Sequence, residues 1–174
     1  EKNWQQVDFV RRFGNPVFYS DAARLEVLRA AHVDKARLFV IAIADPGPSL
    51  QIAEQLRRHF PGVTVFAVAR TRQHALQLMD LGVRQVIRRS FFSSLEMSRG
   101  VLQALGETPE AAQRALDTFR RFDEDTLLRQ QALYRDETLL VQNAREAARE
   151  LESLFEADAA QAPAAPPAAA AESR

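Results

Sequence analysis

The stretch RLFVIAIADPGPSLQIAEQLRRHFPGVTVFAVAR, Arg37 to Arg70, decides the fold. It opens on a nearly continuous apolar run, Arg37–Ile43, and turns at Asp45-Pro46. It then sets Ile52, Leu56 and Phe60 on one helical stripe. A second apolar run follows from Val63 to Ala69. Both runs are rich in valine, isoleucine and phenylalanine, and neither alternates strictly. Strands of that kind are buried on both faces, as in a parallel sheet.

Working outward, PVFY (Pro16–Tyr19) and VRQVI (Val83–Ile87) read as further strands. AARLEVLRAA, with Leu25, Leu28 and Arg29 at helical spacing, and RQHALQLMDLG, stopped by Gly82, read as helices between them. The resulting βαβαβαβ alternation predicts an α/β fold: a truncated Rossmann-like, doubly wound parallel sheet with right-handed crossovers.

After Ile87 the pattern changes. Ser90–Gly106 reads as a helix, and Thr108–Phe155 as helical almost throughout, with Thr108 as cap and Pro109 in the first helical position. Its apolar residues Leu116, Phe119, Phe122, Leu127, Leu128 and Leu133 are placed to fold back on the core or to meet a second subunit. The end, AQAPAAPPAAAAESR, has the composition of a disordered tail. The expected organisation is a partial Rossmann-like α/β domain over residues 1–106, a helical extension over 107–156 and a tail over 157–174.

Composition narrows the function classes. The chain has 174 residues, 47% hydrophobic and 26% charged, which suits a globular domain with appendages. Lys+Arg and Asp+Glu are both 23, so no global field draws it to nucleic acid or anionic lipid. It has no cysteine, which excludes disulfides, thiolate metal sites and a cysteine nucleophile. No apolar run approaches the ~20 residues of a membrane span. The sequence opens on Glu1 rather than methionine and reads as a piece of something longer.

In an open α/β sheet, ligands sit at the carboxyl ends of the strands. Those ends carry Ser20-Asp21, Asp45-Pro46 and Arg70-Thr71-Arg72, and Glu1 falls where an earlier strand would end. Acids there suit ribose hydroxyls or an adenine amino group, and equally serve as helix caps and turn formers. No Gly-x-Gly-x-x-Gly turn occurs, so weak or no affinity for AMP or NADH is expected of this stretch by itself. His32, His59 and His74 are solitary, without metal-ligand spacing, and His59 reads as a helix end. No nucleophile elbow or paired carboxylates stand out, so the chain reads as no enzyme.

The segments RRFGNPVFYSDAARLEVLRAAHVDKARLFVIAIADP…LQIAEQLRRHFP, VARTRQHALQLMDLGV…IRRSFF and ALDTFRRFDE resemble the cytoplasmic regulatory domain of Kef-type, glutathione-gated potassium efflux antiporters, of the TrkA-N class. The resemblance runs from Glu1 to about Asp123, more loosely to Phe155. VFYSDA and DP…LQ are shared by the wider class, whereas FRRFD is more specific to the Kef branch. By this resemblance the first β-α-β element and the membrane antiporter domain belong upstream. It implies nucleotide contacts at Glu1, Asp21, Ala22 and Asp45, with AMP or NAD(H) as regulatory ligand. Asp21 would then both cap a helix and line the cleft.

The resemblance further implies glutathione as a second ligand, at Phe13, Thr71, Arg88 and Asp123. Arg88 matches the arginine that meets a glutathione carboxylate, for which a guanidinium fork is suited. Two positions depart: Thr71 stands where the family has aspartate, and Asp123 where it has asparagine. Phe13 matches an aromatic that senses the bulk of a glutathione conjugate; read alone, it is a core residue closing the first helix onto the sheet. The implied partners are a second copy, the antiporter domain of the same polypeptide and a flavodoxin-like quinone reductase subunit, at the cytoplasmic face of the inner membrane. Half of a nicotinamide-dependent oxidoreductase, or a stand-alone potassium-uptake regulator, is the alternative reading.

Overall fold

The computed structural model describes residues 4–14, 20–43 and 45–161. Glu1, the expected strand Pro16–Tyr19 and residues 162–174 of the expected tail lie outside them. The chain divides into two compact units, Glu1–Phe92 and Ser93–Arg174.

In the first unit, helices α1 (Trp4–Arg11) and α2 (Leu25–Ala30) precede three strands, β1 (Leu38–Ile41), β2 (Thr64–Ala69) and β3 (Gln85–Arg88). The strands form one parallel sheet in chain order. Parallel neighbours need a crossover, and α3 (Pro46–His59) and α4 (Arg72–Asp80) supply the two connections. Ile41, Val65, Ala67 and Ala69 are buried on the sheet, with Ile52, Ala53 and Leu56 of α3 and Ala75, Leu76 and Leu78 of α4. Leu56 and Ile52, on the stripe read from the sequence, each stabilise this core by about 1.5–3 kcal/mol.

The register puts Val40 beside Phe66 and Val68 beside Ile87 on the opposite sheet face. On that face the two outer strands are the exposed ones: Val40 is 58% and Ile87 43% exposed, whereas Phe66 and Val68 of the central strand are half-buried.

Local chemistry sets the helix ends. The Asp45 carboxylate accepts from the Gly47 N–H at 3.2 Å and caps α3 ahead of Pro46. Thr71 caps α4, its hydroxyl accepting from the His74 N–H at 3.1 Å. Gly82, at φ +81°, takes the left-handed conformation that ends α4. After α2, His32 occupies the same region at φ 52°, and it alone does so among the described non-glycine residues.

Helix α5 (Phe91–Ala104) buries none of its residues; Phe92, Met97 and Val101, with Leu105 just beyond, are exposed. In the second unit α6 (Pro109–Gln131) and α7 (Glu137–Gln161) pack on each other, with Ala112, Thr126, Gln130 and Ala147 buried. Thr108 caps α6 through the Ala111 N–H at 3.2 Å, as its sequence predicts. The long helical stretch is broken at residues 132–136, where the Asp136 carboxylate accepts from Leu139 N–H at 3.1 Å and starts α7. An exposed Arg129–Glu150 pair at 3.2 Å ties the two helices. Helix α7 continues through residues 157–161, past the expected start of the tail.

Candidate functional site: the strand-end edge

Because the three strands run parallel, their carboxyl ends share one edge of the first unit. Asp45 follows β1, Arg70 and Thr71 follow β2, and Arg88 ends β3. The ladder continues one residue beyond β3, with the Arg89 N–H donating to the Ala69 carbonyl at 2.9 Å. Helices α3 and α4 begin at this edge, so their N-terminal amides point toward it.

The acids divide by role. Asp45 is a helix cap, as the simpler reading of its residue type has it. Asp21 is not: α2 starts at Leu25 with Arg24 in the capping position. Its carboxylate accepts instead from the Ala23 N–H at 3.0 Å, a two-residue Asx turn. The helix begins too late for Asp21 to reach its first-turn amides. Asp21 and Ala22 are both half-buried.

Of the expected glutathione residues, Thr71 and Arg88 come together at neighbouring strand ends, Arg88 pairing in register with Ala69. Arg88 is the last residue of β3 rather than a residue past it, held there by the ladder. Its guanidinium lies 3.9 Å from the centre of the Phe91 ring. Phe13 is 69% exposed, which overturns its reading as a core residue. It sits beyond the end of α1 with its ring edge-on to Phe9, centroids 5.1 Å apart. Asp123 belongs to the second unit, half-buried on α6.

One pair at this edge escaped the sequence. His74, read as solitary, is 1% exposed and uses both ring nitrogens. Nδ1 accepts from the Arg70 N–H at 3.1 Å, and Nε2 lies 3.1 Å from the Ser49 hydroxyl. A backbone N–H only donates, so Nδ1 is bare and Nε2–H donates to Ser49. Burial holds the imidazole pKa below its usual value, against the pull of Asp45. Ser49 and His74 are 25 positions apart, and no local spacing announces them. The only signal was a serine in the first turn after Asp45-Pro46 and a histidine in the first turn after Thr71. Among the described residues no group of three or more His, Cys, Asp or Glu is placed to hold a metal.

Two family models match the chain in tandem: the TrkA-N domain over residues 1–89, and the potassium efflux system KefB C-terminal domain over residues 93–171. Among solved structures, the Kef C-terminal domain of Shewanella denitrificans in AMP-bound form is 39% identical. The match covers 68% of this chain and 75% of that one, with a TM-score of 0.65. The TrkA-N domain of the Escherichia coli inner membrane protein ybaL is 22% identical over 60% of this chain and 74% of that one. Its TM-score is 0.50, and it supports the fold alone.

Proposed function

The chain belongs to the Kef-type regulatory domains of potassium efflux systems, and from that membership we propose that it senses an adenine nucleotide at its strand-end edge and glutathione at Arg88. One observation carries the reading: Asp21, Asp45, Arg70-Thr71 and Arg88 line turns and strand ends of one unit in a chain 39% identical to a domain described with AMP bound. Carboxylates there accept from ribose or adenine, and the amides at the starts of α3 and α4 attract anions. The chemistry asked of these residues is binding, not bond making. The ligand acts by its unequal affinity for two arrangements of the domain, and so shifts a gate in an attached membrane antiporter domain.

The reading includes a second copy. The exposed Val40 and Ile87 of the outer strands, and the bare apolar residues of α5, are surfaces that a partner subunit would remove from water. Family resemblance adds a flavodoxin-like quinone reductase as a further subunit.

Asp21→Asn tests the nucleotide site cleanly. The amide oxygen still accepts from Ala23 N–H, so the turn survives while the charge is lost. In the intact transporter's regulatory domain, AMP affinity should fall severalfold with thermal stability unchanged. Unchanged AMP affinity would place the nucleotide elsewhere.

A further inference from the structure

The turn after β2 and the first turn of α3 are joined by a buried imidazole, not by apolar packing alone. His74 takes a hydrogen from the Arg70 N–H and gives one to Ser49, each at 3.1 Å. His74 is itself fixed to the same turn through Thr71, which accepts its backbone N–H. The arrangement works only for the neutral ring. A proton added at Nδ1 faces the Arg70 N–H, donor against donor, and that bond must break. The bond to Ser49 survives, since Nε2 donates in both forms.

We infer that His74 and Ser49 form a proton-operated latch: the neutral imidazole holds the Arg70–Thr71 turn against α3, and protonation releases Arg70. The charged groups at the strand-end side of the surrounding elements are Asp45 at the start of α3, Arg70 in the turn, Arg72 in the first turn of α4, and Arg88 and Arg89 where β3 ends. Burial opposes the imidazolium, and Asp45 favours it.

The direction of the pH effect follows. The closed turn keeps the imidazole pKa low, chiefly by burial, whereas a released turn lets it rise toward about 6.5. The latch is therefore fully effective above that value and weakens as pH falls below it. Between the closed and released pKa values the open population grows as pH falls, by at most about tenfold per pH unit. An anion held at the strand-end edge would be held less firmly in acid. That consequence rests on the proposed function, but the latch is testable without any ligand.

The experiment is nuclear magnetic resonance on the 174-residue chain from pH 7.5 to 5.0. At neutral pH the His74 ring should show an unprotonated Nδ1 and a protonated Nε2. Protection of the Arg70 amide from exchange, corrected for intrinsic rates, should fall with pH below about 6.5, by at most about tenfold per pH unit, with the core amides of Ala67 and Leu76 unaffected. Ser49→Ala should speed exchange at Arg70 throughout while keeping the slope, and His74→Gln should abolish the slope. A protonated Nδ1 at neutral pH, a flat Arg70 profile in the unsubstituted chain, or a slope shared by the core amides would each overturn the latch. If His74→Gln does not fold, the unsubstituted chain and Ser49→Ala still decide.

Discussion

The Arg88 guanidinium lies 3.9 Å from the centre of the Phe91 ring, so the last residue of β3 is stacked on the first residue of α5. Stacking engages a face of the guanidinium, whereas a carboxylate is met by its N–H edge. A charge-assisted hydrogen bond contributes about 1.5–3 kcal/mol, or a factor of roughly ten to a hundred in affinity. Arg88→Ala should weaken glutathione binding by that factor and loosen the closed state of the intact transporter. Arg58→Ala should do neither, because Arg58 is paired with Glu54 on the exposed side of α3. Glutathione affinity and potassium efflux of both variants check this. If Arg88→Ala behaves as wild type, Arg88 holds no ligand carboxylate.

One departure from the family pattern lies at the strand-end edge itself. Thr71 caps α4, and aspartate caps at least as well as threonine, so Thr71→Asp should leave stability within a few tenths of a kcal/mol. It would restore an acceptor at the end of β2 and, on the proposed function, should strengthen glutathione binding in the intact transporter. Calorimetric titration of the variant checks it, and unchanged or weaker binding would remove Thr71 from the site.

His32 holds a left-handed backbone at φ 52° where glycine would do so without a Cβ penalty. His32→Gly should stabilise the first unit by about 1 kcal/mol, seen as a higher midpoint in urea at unchanged slope. A lower midpoint would show that the imidazole contributes more than the backbone strain costs.

Much of this architecture was legible because the signals are local. Apolar runs marked β1, β2 and β3, and Asp45-Pro46 and Thr108-Pro109 marked helix starts through side chains that reach amides two or three residues on. Asp21 misled for the same reason. Its residue type predicts a cap, but the chain spends Ala22 to Arg24 in a turn before α2 begins. Phe13 misled because apolarity argues for burial, and only the tertiary structure shows its ring exposed beside Phe9. The Ser49–His74 contact was illegible, since it exists only once α3 and α4 are side by side on the sheet.

The bare residues of α5 predict self-association. Leu105 and Met97 are among the most exposed apolar residues described, so Met97→Glu with Leu105→Glu should cost no core packing. Sedimentation should show the unsubstituted chain as a dimer and the double variant shifted toward monomer. An unchanged mass distribution would exclude α5 from the interface.

The central claim is that an adenine nucleotide is sensed at the strand-end edge. Amide hydrogen exchange with and without AMP tests it most directly, on the intact transporter's regulatory domain. AMP at a hundredfold excess over its Kd stabilises the bound state by about 2.7 kcal/mol, a slowing of roughly a hundredfold where opening requires release. That slowing is expected at residues 20–23, 45–49 and 70–74, with α6 and α7 unchanged. Calorimetrically verified binding with no protection at those turns, or with protection confined to α6 and α7, would contradict it.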